Sequence, residues 1–131
     1  MSKFKIALLC GGPSLERAVS LNSARTVLDH LPDDKIEILP VYFDYKKQAY
    51  LISRAQLYSN TPSDFDFKLK QTAKPLSDAQ LVKFLKTTDL IFPAIHGQFG
   101  EDGVLQKFLE KNRLPFVGSP SAACELAFDK Y

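Results

Sequence analysis

Tryptophan is absent from these 131 residues, methionine occurs once and cysteine only twice. Cys10 and Cys124 lie far apart, and neither has a partner at metal-ligand spacing. That excludes a disulfide scaffold and a small zinc module, and it predicts two buried, reduced thiols. No apolar run approaches the roughly 18 residues that a transmembrane helix needs. No charge of one sign dominates: 17 basic side chains face 15 acidic ones, a net charge of +2. So small an excess argues against a nucleic-acid or membrane-surface partner. The N-terminus, Met1-Ser2-Lys3-Phe4-Lys5, leads into a short apolar stretch with no cleavage signal, which predicts a cytoplasmic chain. Internal repeats and low-complexity segments are lacking too. What remains is 45% hydrophobic and 24% charged, the composition of one ordinary globular domain that folds without crosslinks.

The order of elements follows from the apolar patterning. Lys5-Ile6-Ala7-Leu8-Leu9-Cys10 is a continuous apolar run ending at Gly11-Gly12-Pro13, which predicts a central strand covered on both faces. Ser14 stands where a helix N-cap belongs. From Glu16 to Leu31, Val19, Leu21, Ala24, Val27, Leu28 and Leu31 form a helical stripe. Residues 36–43 read as a second strand, which completes a strand–helix–strand unit. Tyr45-Lys46-Lys47-Gln48 predicts a hairpin turn, with Ala49 to Ile52 returning. Residues 53–76 are polar and give no clear element. A helix follows from Ser77 to Lys86, with Leu76, Leu81, Phe84 and Leu85 on one side, and then a strand over 89–95. Pro93 fits near the end of that strand, where no ladder donor is needed. A helix over 102–112 carries Val104, Leu105, Phe108 and Leu109 inward, Pro115-Phe116-Val117 makes a short strand, and Ser119-Pro120 opens a last helix. This alternation predicts an α/β fold: a three-layer, doubly wound, mostly parallel sheet of Rossmann-like type.

All six glycines fall in three strand-to-helix loops, at Gly11-Gly12, at Gly97 to Gly103 and at Gly118. Ligands of open parallel sheets bind beyond the carboxyl ends of the strands. Helix starts behind such loops offer free N–H groups and partial positive charge. Glycine can also serve merely to turn a chain at a strand end. Three loops that hold every glycine and a histidine favour one polar rim suited to an anion. The first loop is neither a dinucleotide fingerprint nor a P-loop, because the later glycine and the Gly-Lys-Ser/Thr are missing.

Glu16, in the first turn after the first loop, either complements the helix dipole or holds an ammonium group. His96, directly after a strand and heading the second loop, can donate to a carboxylate or move a proton near neutral pH. Asp102 reads as a helix cap. Arg17 reads as a solvated charge or an ion-pair partner.

At these residues the sequence resembles the D-alanine–D-alanine ligases. Gly11-Gly12-Pro13-Ser14-Leu15-Glu16-Arg17-Ala18-Val19-Ser20-Leu21 is similar to their N-terminal signature. Phe92 to Gln106, with His96-Gly97-Gln98-Phe99-Gly100-Glu101-Asp102-Gly103 at its centre, is similar to the second, and Pro115 to Ser119 with Phe128-Asp129-Lys130 to the third. The resemblance implies residues 1–131 as the N-terminal substrate-binding domain of an ATP-grasp enzyme. That enzyme activates one D-alanine as an acyl phosphate and joins it to a second for peptidoglycan. By position, Glu16 would bind the first D-alanine's ammonium, Val19 would pack on its methyl, and His96 would lie near its carboxylate. Glu101 would support the loop, and Lys130 would reach ATP phosphate. ATP and Mg2+ would be bound mainly by central and C-terminal domains outside these residues, so that residues 1–131 alone would be inactive. A homodimer is a further implication. Two other readings stay open: a stand-alone α/β module for a small anion, and a relative that joins D-alanine to D-lactate or D-serine.

Overall fold

The first apolar run forms strand β1, Phe4–Gly11, whose last six residues are all buried. The chain is described here by a computed structural model covering residues 3–13, 17–31, 34–59, 64, 68, 73–96 and 99–118. Helix α1 (Arg17–His30) leads to β2 (Ile36–Phe43), and β3 (Ala49–Leu51) returns beside it. Helix α2 (Arg54–Ser59), β4 (Pro75–Leu76), α3 (Asp78–Leu85), β5 (Leu90–Pro93) and α4 (Val104–Lys111) complete the described elements.

The sheet is mixed, in the order β4-β3-β2-β1-β5. β1 runs parallel to β2 from Phe4↔Ile36 to Gly11↔Phe43 and parallel to β5 from Ile6↔Leu90 to Leu9↔Pro93. β3 is antiparallel to both β2 and β4. The expected strand at residues 115–117 is reduced to one parallel bridge, Ile91↔Phe116. Pro40 is tolerated inside β2 because β3 pairs only from Val41 onward, and the Pro40 carbonyl accepts the Ile52 N–H just past the ladder at 3.2 Å. Pro75 sits on the edge strand, where a missing donor blunts further pairing.

Successive β1 side chains enter opposite layers. Ala7 and Leu9 pack with Val41, Phe43, Leu81, Leu85, Leu105 and Leu109, so α3 and α4 cover one face. Leu8 and Cys10 pack with Leu21, Ala24, Leu28, Tyr42 and Leu57, so α1 and α2 cover the other. This two-sided cover explains why β1 reads as unbroken apolar sequence. Cys10 is a free thiol in that core, and burial pushes its pKa up to about 12, against a smaller downward pull from Arg25.

Two inward assignments change. Val19 and Val104 are exposed, at 54% and 46%. Each lies in the first turn of its helix, before the apolar stripe meets the sheet. The segment without a clear element contains α2 and β4. Ser53 and Gln56 form reciprocal bonds, Gln56 N–H to Ser53 Oγ at 3.1 Å and Ser53 N–H to Gln56 Oε1 at 2.7 Å, which start α2. Ser77 and Gln80 start α3 in the same way. Among the described residues no helix is long and apolar enough to cross a membrane.

Candidate functional site

β1, β2 and β5 are mutually parallel, so their carboxyl ends meet at one rim. Gly11 and Gly12 leave β1 there, and Asp44 leaves β2. His96 follows β5 by three residues, and the Phe116–Gly118 segment ends beside it. The rim is tied by backbone and hydroxyl bonds. Gly12 N–H donates to Phe43 O at 2.7 Å. Ser20, fully buried on α1, accepts the Gly11 N–H at 2.9 Å and donates to Ala94 O. One hydroxyl thus joins the first loop, the first helix and the end of the third parallel strand.

Close approach demands glycine at three described points, the first being Gly11, where a β-carbon would lie 2.4 Å from Phe43 O. Gly12 has φ +101°, and a β-carbon there would lie 2.7 Å from Ile95 Cγ2. A β-carbon on Gly100 would lie 2.1 Å from Ile95 O. Both loops therefore close onto Ile95, which brings the residue before His96 against the first loop.

The second loop is anchored by Phe99. Its φ of +79° costs a bulky side chain about 1–2 kcal/mol. Burial of the ring and an edge-on contact with Phe43, centroids 5.3 Å apart, offset that cost. Lys47, from the β2–β3 turn, places its ammonium 5.6 Å from the Phe99 ring centre. Asp44 holds that turn by accepting the Lys46 and Gln48 N–H groups at 2.8 and 2.9 Å. The Phe99 carbonyl accepts Leu105 N–H at 3.0 Å, which fastens the loop to the start of α4. Gln106, also buried, donates to Gly100 O at 2.7 Å. The N-cap of α4 is Gly103 rather than Asp102, because the helix starts at Val104; Asp102 stands one residue earlier and its Oδ1 accepts the Val104 N–H at 3.1 Å.

His96 lies between two polar side chains. Its Nδ1 is 3.2 Å from Glu101 Oε1, and its Nε2 is 2.9 Å from Ser23 Oγ. The ring is about one-third exposed and Glu101 about half. Both ring nitrogens are engaged within the protein, while part of the ring edge stays open to solvent. Handing a hydrogen bond to an anion at the rim therefore requires a proton on Nε2 and release of the Ser23 contact. The structure thus brings His96 and Glu101 together. Val19 stands four residues before Ser23 on the same helix face. Glu16 and Lys130 lie outside the described residues, as do Ser14, the last helix and Cys124. Ser20 and Ser23 are the site residues that sequence reasoning missed. Their signal is two hydroxyls three residues apart at the loop-facing end of an otherwise apolar stripe. Among the described residues no group of three or more His, Cys, Asp or Glu gathers as a metal site.

A second concavity lies elsewhere. A cleft of about 540 Å³ between α3 and α4 is lined by Val82, Lys83, Lys86, Phe108 and Lys111. It sits at the end of α4 remote from the rim.

Comparison with known proteins agrees with this arrangement. A family model described as "D-ala D-ala ligase N-terminus" matches residues 5–119. The D-alanine–D-alanine ligase A of Escherichia coli K12 is 32% identical over 141 residues, covering 99% of this chain and 39% of that protein. The solved D-alanine–D-alanine ligase of Coxiella burnetii superposes with a TM-score of 0.77 at 28% identity, over 96% of this chain and 38% of that one. The VanG D-Ala:D-Ser ligase of Enterococcus faecalis also reaches a TM-score of 0.77, at 27% identity, over 98% of this chain and 39% of that one. The chain therefore spans about two-fifths of the length of the relatives it matches. It belongs to the D-alanine–D-alanine ligase N-terminal family.

Proposed function

We propose that this chain is the N-terminal substrate-binding domain of an ATP-dependent ligase that joins two D-alanines for peptidoglycan synthesis in the cytoplasm. The observation that carries the reading is the His96–Glu101 pair, 3.2 Å apart at the glycine-lined rim. An amino acid has two poles, and this reading assigns one residue of the chain to each. Glu16, one residue before α1, is proposed to hold the ammonium. His96 is proposed to face the carboxylate, with Glu101 fixing the ring. Val19, exposed near the start of α1, is proposed to pack on the methyl group. The fold in this reading is the three-layer, doubly wound, Rossmann-like form, which helices on both faces of the sheet support.

ATP and Mg2+ are proposed to be held mainly outside residues 1–131, with Lys130 reaching phosphate. ATP supplies the phosphoryl group that activates a carboxylate. The groups in this chain bind and orient the amino acid. A homodimer belongs to the same reading. The likeness to a D-Ala:D-Ser ligase supports one alternative, a second substrate other than D-alanine, because that likeness is as close as to a D-alanine–D-alanine ligase.

The test is the kinetics of the ligase that carries these residues. Glu16→Ala is expected to raise the apparent KM for the first D-alanine at least tenfold, by leaving an ammonium unpaired. An unchanged KM overturns the role given to Glu16. Absence of ADP and dipeptide formation from D-alanine and ATP overturns the reading as a whole.

A further inference from the structure

The reading above uses His96 and Glu101 and gives Ser23 no part. We propose that Ser23 is a positioning residue that fixes the tautomer and orientation of His96 from the side opposite Glu101. Its bearing on a substrate carboxylate rests on the proposed function, in which Nε2 takes up a proton and exchanges the Ser23 hydroxyl for the carboxylate; the geometry of the ligand-free ring does not rest on it.

A carboxylate can only accept, so the Glu101 contact at 3.2 Å requires the hydrogen on Nδ1. In the neutral ring, Nε2 then carries a lone pair. The Ser23 hydroxyl, 2.9 Å away, is the donor that fills it. The two bonds come from different parts of the fold, one from the loop that carries His96 and one from α1. A ring held from both sides cannot turn over about its Cβ–Cγ bond without breaking both. Thr26, three residues further along α1, returns its hydroxyl to the Asn22 carbonyl at 3.0 Å. Ser23 instead reaches across to the histidine. Ser20, one turn earlier, spans Gly11 and Ala94 and so holds the helix at the distance this contact needs.

The experiment is nitrogen NMR of the imidazole rings in the 15N-labelled protein, with no ligand present. The sequence has two histidines. His30, whose Nδ1 lies 2.8 Å from Thr26 O, serves as an internal reference. His96 is expected as the Nδ1–H tautomer, with Nε2 shielded by an accepted hydrogen bond. In Ser23→Ala the Nε2 resonance is expected to move downfield, to the position of an unbonded acceptor nitrogen, while His30 stays in place. Ser23→Thr is expected to return the wild-type position. Alanine favours helix, and the backbone amide spectrum checks that both variants remain folded. An Nε2 resonance unmoved by Ser23→Ala, or a wild-type His96 in the Nε2–H tautomer, overturns the proposal. The measurement needs no substrate, so failure of the D-alanine reading would appear separately, as a His96 ring that does not respond to added D-alanine.

Discussion

Gly12 lies with its α-carbon against the Ile95 side chain, so that a β-carbon there would come within 2.7 Å of Ile95 Cγ2. This contact seats the first glycine loop on the strand end that carries His96. Two costs add in Gly12→Ala. The φ of +101° costs an L-residue about 1–2 kcal/mol, and the overlap must be relieved by moving Ile95. The expected loss is about 2–3 kcal/mol of unfolding free energy, read from urea denaturation. A loss below about 0.5 kcal/mol would mean that the loops do not meet at Ile95.

Leu57 tests the part of the chain that its polar composition hid. Its side chain is fully buried on the α1 face of the sheet, and its carbonyl accepts Arg25 Nε at 2.9 Å. Leu57→Ala is expected to cost about 3 kcal/mol. Tyr58→Phe, which removes the hydroxyl bonded to Asp29, is expected to cost about 0.5–1 kcal/mol at this exposed site. A Leu57→Ala variant as stable as the wild type would contradict the packing of α2 on α1.

How much was legible follows from which signals are local. β1 and β2 were readable because strands covered on both faces leave long apolar runs. The Ser77–Gln80 helix was readable by its apolar side. α2 carries the same capping pair, Ser53 and Gln56. It is only six residues long and buries little besides Leu57, so periodicity could not find it. β4 has two residues and exists only because β3 offers an edge. In the site, His96 and Glu101 stood out because they flank glycines. Ser23 did not, because its partner lies 73 residues away. Val19 and Val104 fit helical stripes by spacing, but their exposure depends on where each helix meets the sheet.

Cys10 gives a prediction in pH. Burial holds the folded thiol protonated up to about 12, whereas its ordinary value is 9.0. Between those values the unfolded chain has released a proton that the native state keeps, so stability falls as pH rises through that window. Tyr50 and Tyr58 are also shifted upward, Tyr50 chiefly by burial and Tyr58 chiefly by its bond to Asp29, and they add in the same direction. The urea midpoint is expected to be lower at pH 10 than at pH 8, with a smaller drop in Cys10→Ala. In a Cys124→Ser background, an alkylating reagent at pH 8 is expected to label Cys10 only after unfolding. Labelling of the native protein would contradict the burial of this thiol.

Glu101 acts on His96 through one accepted hydrogen bond, and an amide oxygen can accept it too. In the ligase that carries these residues, Glu101→Gln is expected to keep the KM for the first D-alanine within about threefold, while Glu101→Ala raises it about tenfold. Equal losses in both variants would mean that the charge of Glu101, rather than its contact with Nδ1, is what the site uses.

The most direct measurement is a backbone amide map of the 15N-labelled protein during titration with D-alanine. The account predicts saturable shifts at Gly11, Gly12, Ser20, Ser23, His96 and Glu101, with Lys83 and Lys111 in the α3–α4 cleft unmoved. Shifts centred on that cleft, or none at the rim when the titration is complete, would contradict it.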